Sequence, residues 1–276
     1  MFVRRQGGGM HGTLRTAAVV GGIAVLATAA LLLMGHPLAR AFWPYSTYGA
    51  MSRVFLGSML AAVGAPMVWI GLSGELAGLR SGAANIMTVS LGLGIHAAIR
   101  SGGTPGPILW FAVANAVTLL GAAGLYWAVR ELPWRDTRPT PLLVRGFFGL
   151  FAAVLLLAGG ALILGQQIFP WTLDRDSATA YGVMFLGAMT YFVYGLIRPL
   201  WGNAKGQLLG FLAYDLVLIA PYLQLWPGTT GVSRLSLSIY IAVLAVSGGL
   251  AIGYLLLSPS WRLRMSGPSA PAVASA

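Results

Sequence analysis

Long apolar stretches separated by short polar segments dominate this chain. A membrane-spanning helix needs about 20 largely apolar residues, because the hydrocarbon core is about 30 Å thick and a helix rises 1.5 Å per residue. The pattern therefore predicts an all-α, polytopic transmembrane bundle of eight helices. The eight stretches are Thr16–Gly35, Val54–Leu72, Ser81–Ile99, Gly106–Val129, Gly146–Phe169, Ser177–Ile197, Gly206–Trp226 and Leu235–Ser258.

The composition supports a membrane protein and excludes several other classes. Hydrophobic residues make up 57% of the 276 residues and charged residues 8%, against roughly 25% charged residues in soluble domains. So few charges cannot cover a soluble surface, which excludes a soluble enzyme and a disordered chain. The absence of cysteine excludes disulfides, thiol catalysis and thiolate metal sites.

The net charge of +11 is explained by membrane topology. Lys and Arg collect on the cytoplasmic side of membrane proteins, whereas nucleic-acid binding needs a clustered basic face, which is not visible here. We therefore predict no nucleic-acid partner. The first stretch follows arginines, as in a signal peptide, but its apolar run is long for such a segment, so we predict a retained span.

Counting cations predicts the orientation. With eight spans both termini lie on one side, and placing them in the cytoplasm of a bacterial inner membrane puts most cations inside. The outside then carries Arg40, Arg53, Arg100, Arg175 and Arg234. The inside carries Arg4, Arg5, Arg15, Arg80, Arg130, Arg135, Arg138, Arg145, Arg198, Lys205, Arg262 and Arg264.

Landmarks in the first half of the chain recur in the second half at offsets of 130 to 133 residues. Four spans per half predict two parallel four-helix repeats, related by an axis along the membrane normal. We assign residues 1–15 as a cytoplasmic segment, 16–130 as the first repeat, 131–142 as a cytoplasmic linker, 143–258 as the second repeat and 259–276 as a disordered cytoplasmic tail. The paired landmarks are Tyr48–Met51 with Tyr181–Met184, Phe55–Met59 with Phe185–Met189, Trp69 with Trp201, and Gly74–Gly78 with Gly206–Gly210.

These motifs carry a resemblance. An aromatic-Pro-aromatic entry, a Tyr-Gly-x-Met helix start and a later Trp, all duplicated, resemble uncharacterised multi-pass bacterial membrane proteins built from tandem four-helix repeats. The resemblance covers Phe42–His96 and Phe169–Leu225. It implies no activity, cofactor or catalytic residue.

Asp215 is the one ionisable residue far from the ends of a predicted span. It lies about nine residues into the seventh stretch, roughly 14 Å deep, where a charge costs at least ~2.5 kcal/mol. One interpretation is a proton, cation or ligand site that includes Tyr214 and Tyr222, with Arg80 or Arg198 as charge partner. The other is a structural acid, bonded to a hydroxyl, an amide or Arg80.

A polar elbow follows the sixth stretch. Arg198, Asn203 and Lys205 are candidates for binding an anionic lipid headgroup, although cations at this boundary also serve as topological anchors. Glu75 is the repeat counterpart of Gln207 and is a candidate partner for Arg80. No nucleotide, hydrolase or metalloprotease motif is present, so the sequence predicts no catalytic residue, metal or cofactor.

We therefore expect a multi-pass membrane protein of non-enzymatic function, either a binder of a lipid-like or apolar small molecule or a scaffold for a partner complex. The partners are the bilayer, anionic headgroups, and another membrane protein or a second copy. Two alternatives stay open: a secondary transporter centred on Asp215, which would face a water-accessible cavity, and a membrane enzyme acting on lipids.

Overall fold

The computed structural model describes residues 6–40, 43–45 and 49–263. The predicted all-α bundle is confirmed there, because eight helices are long and apolar enough to span a membrane and no strand is described. The eight helices are α1 (Gln6–Leu33), α2 (Ala50–Ser73), α3 (Leu79–Ser101), α4 (Pro107–Val129), α5 (Leu142–Ile163), α6 (Arg175–Ile197), α7 (Trp201–Leu225) and α8 (Gly231–Ile252).

Most helix ends lie within a few residues of the predicted ones, but the start of α1 and the end of α5 do not. Helix α1 begins at Gln6, ten residues before the predicted Thr16. For α5 we expected Gly146–Phe169, whereas the helix runs from Leu142 to Ile163. Gly165 has a φ of +85°, a conformation that ends helices, and the apolar residues after it lie in irregular backbone. The next helix is then capped by Asp174, whose carboxylate accepts a hydrogen bond from the Ser177 N–H at 2.7 Å.

The eight helices pack side by side in two rows of four. We call the end of the bundle where α1 begins and α8 ends the terminal face, and the opposite end the distal face. The first row has the order α1, α2, α7, α8, and the second has the order α4, α3, α6, α5. Each row combines two helices from each half of the chain, and α2 contacts α3 little. The two predicted repeat units therefore do not form separate four-helix bundles.

Within the rows, glycines let backbones approach closely. A Cβ added to Gly182 of α6 would lie 2.6 Å from the Gly159 carbonyl oxygen of α5, and a Cβ added to Gly22 of α1 would lie 2.9 Å from the Gly64 carbonyl oxygen of α2. Both distances are shorter than real Cβ contacts. Small residues at such crossings give the close packing that holds helices together in lipid.

Between the rows, aromatic rings fill the distal half. The ring centroid of Phe55 in α2 lies 4.6 Å from that of Tyr181 in α6 and 5.7 Å from that of Phe185. Phe169, from the segment between α5 and α6, contacts the same cluster, 5.0 Å from Phe55. Large side chains, rather than glycine contacts, therefore set the distance between the rows.

Some predictions fall outside the described residues: those on Arg4, Arg5, Phe42, Tyr48 and residues 264–276. The start of the predicted tail, residues 259–263, is described. Trp261 packs edge-to-face on Trp201 at 5.0 Å and its carbonyl accepts a hydrogen bond from the Trp201 indole N–H. These five residues therefore belong to the bundle.

Replacing Gly182 by Ala tests the close crossing of α5 and α6. The added methyl group must push the two backbones apart, which typically costs about 1–3 kcal/mol, so we expect a lower melting temperature in detergent. Gly160→Ala is the matched control, because a Cβ there meets nothing within 4 Å and alanine is the better helix former. Equal melting temperatures for the two variants would contradict this packing.

Candidate functional site

A cavity of about 630 Å³ lies between the two rows. Helices α2, α7 and α8 line one side, and α3, α5 and α6 line the other. It extends from Gly78 and Leu125 near the terminal face to Gln167 and Ile168 near the distal face. Ligand pockets in proteins typically have volumes of about 300–1,000 Å³, so the space suits a small molecule or a lipid chain.

The lining of this cavity is apolar and uncharged. Most of it is aliphatic or aromatic, and no charged side chain lines it within the part of the chain that the structure describes. A lining of this kind favours hydrocarbon over ions and water. The polar lining residues are Asn85, Gln167, Gln207 and Ser236, together with the tyrosines Tyr191, Tyr214 and Tyr240.

The cavity opens sideways between α5 and α8. Near the terminal face these two helices share one hydrophobic cluster, which includes Phe148 and Ala251. Towards the distal face, lining residues of both helices are open to the surroundings: Leu157 of α5 is 73% exposed and Val232 of α8 is 83% exposed. In a bilayer this side of the bundle faces lipid chains, so an apolar molecule can enter without crossing water.

Asp215 does not line the cavity. Its side chain is buried between α7 and α8, where Oδ2 lies 2.8 Å from the Ser247 hydroxyl, and its Oδ1 has no hydrogen-bond partner among the described residues. Tyr214 lines the cavity, whereas Tyr222 is fully buried against Trp171 and Tyr240. Tyr214 and Tyr222 thus share one hydrophobic cluster, but of these two tyrosines only Tyr214 reaches the cavity, and the Asp215 carboxylate lies outside the cavity.

Arg80 is not the partner of Asp215, nor of Glu75, so that expectation was wrong. Its guanidinium donates to the carbonyl oxygens of Ala77, Arg130 and Leu132 and stacks over Trp134 at 4.6 Å. Arg80 stands at the start of α3, beside the linker between the halves, and the backbone there satisfies its donors. Asp215 lies far along α7 from this end.

The linker between the halves forms a partly buried ionic cluster on the terminal face, in which the Asp136 side chain is 16% exposed and the Arg138 side chain 47%. The Asp136 carboxylate accepts hydrogen bonds from the Lys205 ammonium group at 2.6 Å and from the Arg138 guanidinium group at 2.7 Å. Burial alone would raise the pKa of Asp136, but these hydrogen bonds and the two positive charges outweigh it and lower the pKa to about 2. The linker is fixed further because Gly202 donates its N–H to the Asp136 carbonyl oxygen.

Glu75 lies beside the same cluster. Its two carboxylate oxygens accept hydrogen bonds from the backbone N–H groups of Arg135 and Asp136, at 2.8 and 3.0 Å. Burial raises the pKa of Glu75 despite these donors. Glu75 therefore anchors the linker to the start of the first-half helix α3.

The predicted headgroup residues do not converge on one open site. Lys205 is 7% exposed and paired with Asp136, and Asn203 is 2% exposed with its amide N–H directed at the Arg198 carbonyl oxygen. Only the Arg198 side chain of the three is exposed. The polar elbow is thus largely the buried first turns of α7, where Asp136 of the linker supplies the negative charge that pairs with Lys205.

The sequence reasoning missed the cavity and its polar lining. It concentrated on ionisable residues in the spans and passed over Asn85, an amide inside the third predicted stretch. A neutral polar residue at that depth is itself a signal, because every polar group in lipid needs a partner. No protein-family model, curated protein or solved structure matches the chain.

The Asp136 cluster predicts a pH-dependent stability. The folded pKa is about 2 against an ordinary value of 3.8, so the stabilisation is present above about pH 4 and is lost as the pH falls towards 2. We expect Asp136→Asn to lower the free energy of unfolding by about 2 kcal/mol at neutral pH, with the difference shrinking through this window. Thermal unfolding in detergent as a function of pH measures it.

Glu131→Gln is the control for this experiment. It removes another linker carboxylate, whose side chain is 82% exposed, and exposed ion pairs contribute little, so its stability at neutral pH should match the wild type. A difference between wild type and Asp136→Asn that stays constant down to pH 2 would contradict the assignment.

A double-mutant cycle tests whether Asp215 is held by Ser247. Asp215→Leu and Ser247→Ala, alone and combined, should give a coupling energy of about 0.6 kcal/mol and at most about 1.7 kcal/mol, as for other hydrogen bonds between membrane helices. In the control cycle, Ser238→Ala takes the place of Ser247→Ala. The Ser238 hydroxyl donates to the Arg234 carbonyl oxygen of its own helix, so this cycle should show no coupling with Asp215→Leu. Zero coupling in both cycles would show that the contact is not stabilising.

Proposed function

We propose that this protein binds a lipid-like, apolar molecule in the cavity between its two helix rows, and that it is not an enzyme. The observation that carries the proposal is the cavity: about 630 Å³ of uncharged, mainly hydrocarbon lining that opens to the side of the bundle between α5 and α8. An apolar ligand dissolved in the membrane reaches such a site by lateral diffusion.

The environment of the cavity supports lipid over a water-soluble ligand. Its exposed rim consists of aliphatic side chains such as Val154, Leu157 and Leu235. A water-soluble substrate would have to cross a hydrocarbon-facing opening and give up its hydration without gaining a charged partner. A lipid chain has no hydration to give up on entry and exchanges contacts with other lipid chains for contacts with a preformed apolar wall.

The two alternatives receive less support. A transporter centred on Asp215 needs this acid in a water-filled path, but its carboxylate is 5% exposed and bonded to Ser247 outside the cavity. A lipid-modifying enzyme needs convergent polar groups at one face, whereas Lys205 and Asn203 are committed to partners inside the terminal face.

We extend the proposal to the arrangement of the chain. Under a shift of four helices, each packed pair maps onto another packed pair. Within the halves, α1 with α2 maps onto α5 with α6, and α3 with α4 onto α7 with α8; between the halves, α2 with α7 maps onto α6 with α3. This pattern supports two parallel repeats of the kind that the resemblance to tandem four-helix membrane proteins implies.

The proposed orientation places both termini and the terminal face in the cytoplasm of a bacterial inner membrane, because the larger share of Arg and Lys lies on that face. Among them, Arg145, Arg198 and Arg262 have exposed side chains. These three, rather than Lys205, would contact anionic lipid headgroups. Association with a second copy or another membrane protein stays a prediction.

Filling the cavity tests the function. Gly82 lines the cavity from α3, and a Cβ there meets no atom within 4 Å, so the ring in Gly82→Phe can occupy the space without displacing a helix. The full chain in lipid nanodiscs is irradiated with hexadecanol that carries a diazirine in its chain, and the labelled peptides are mapped by mass spectrometry. We expect label on cavity-lining peptides of α3, α5 and α6, strongly reduced in Gly82→Phe.

Gly121→Phe is the matched control. Gly121 is an exposed residue of α4 outside the cavity, and a Cβ there also meets nothing within 4 Å, so labelling should stay at the wild-type level. Label confined to exposed residues, or equal labelling of the two variants, would overturn the proposal.

A further inference from the structure

Asn85 is a polar side chain without a partner in the wall of the cavity. It belongs to α3, about 9 Å along the helix from Leu79, and its amide oxygen lies against Gly187 of α6, where a Cβ would be 2.6 Å away. The Asn85 side chain makes no hydrogen bond with any residue that the structure describes. An amide has two donor hydrogens and an acceptor oxygen, so its whole hydrogen-bonding capacity is unused.

Gln207 is a second polar residue in the same wall. It lies six residues after the start of α7, as Asn85 does in α3, so the two are at a similar depth from the terminal face. Its amide N–H donates to the Tyr191 carbonyl oxygen at 2.5 Å, and its own carbonyl oxygen is buried with no hydrogen-bond partner among the described residues. The free group of Gln207 is therefore an acceptor.

Unpaired amides are unfavourable at this depth, because neither lipid chains nor the apolar lining can replace the hydrogen bonds of water. The lining residues Ser236 and Gln167 differ, because Ser236 donates to the Ile168 carbonyl oxygen and Gln167 donates to the Trp171 carbonyl oxygen. The unused amide groups of Asn85 and Gln207 thus lie towards the terminal face, while the lipid-facing opening of the cavity is towards the distal face.

On these grounds, and resting on the proposed function, we infer that the ligand is a neutral amphiphile with a hydroxyl group at one end, which bonds Asn85 while its chain extends towards the gap between α5 and α8. A hydroxyl group both donates and accepts, so it matches the amide of Asn85 and can also serve the acceptor of Gln207. A ketone or ether offers no donor.

The charge of the ligand follows from the lining. No charged side chain lines the cavity within the described part of the chain, so a carboxylate, phosphate or ammonium headgroup would stand unpaired in a low dielectric. A neutral hydroxyl can also cross the hydrocarbon region on its way in. The ligand class is therefore a long-chain alcohol or another uncharged hydroxylated lipid, rather than a fatty acid or a phospholipid.

Two matched probes test this inference. Diazirine-bearing hexadecanol and its methyl ether have the same chain, but only the alcohol has a donor hydrogen. With the full chain in nanodiscs, we expect the alcohol to label cavity peptides about fivefold more than the ether, as for one net hydrogen bond. Asn85→Leu, which is close to isosteric, should remove this preference, and Asn85→Ser should restore part of it.

Asn115→Leu serves as the control, because Asn115 is a buried amide of α4 that donates to its own helix at Phe111 and does not line the cavity. It should keep the preference for the alcohol. Gel filtration and the labelling by the ether show whether each variant is folded and its cavity still open.

The outcomes separate the two proposals. If both probes label the cavity equally and Asn85→Leu changes nothing, the hydroxyl inference fails while the lipid-binding function stands. If neither probe labels the cavity in the wild type, the proposed function fails and the inference with it.

Discussion

The lipid environment requires that each polar side chain inside the bundle finds its partner within the protein or in a ligand, because the hydrocarbon core has no water to supply one. The chain meets this demand in different ways at different depths. Lys205 pairs with Asp136 at the terminal face, and Asp215 is bonded to Ser247 between α7 and α8. Asn85 has no hydrogen-bond partner among the described residues. A ligand is expected where such an unpaired polar group lines the cavity.

The cavity exists because contacts within the rows and between them differ in kind. Glycine contacts such as Gly159 with Gly182 bring neighbours in one row close together. Between the rows, rings such as Phe55 and Tyr181 keep the backbones apart in the distal half. Helices α5 and α8 share a hydrophobic cluster near the terminal face, and further along lining residues of both helices are exposed. The volume of the cavity therefore depends on the side chains at the row interface.

Hydropathy alone predicted the eight spans, because bilayer thickness fixes the length of each apolar run. It failed at the start of α1, which lies ten residues before the predicted one, and at the end of α5, where apolar residues continue beyond Gly165 with its positive φ. Hydropathy could not predict which helices pack against each other. The sequence repeat does not reveal it either, because α2 packs on α7 of the other half. The cavity was missed for a related reason. The sequence analysis concentrated on the one charge within the spans, Asp215, which lies outside the cavity, whereas the polar groups of the lining are uncharged.

The most direct test of the account is native mass spectrometry of the protein released from its own membranes in mild detergent. If the cavity holds a neutral hydroxylated lipid, a defined fraction of the protein carries one additional mass. Collisional release should yield an uncharged molecule whose hydroxyl group can be acetylated. Protein that carries no such mass under conditions that preserve other bound lipids, or carries only phospholipid, would contradict the account.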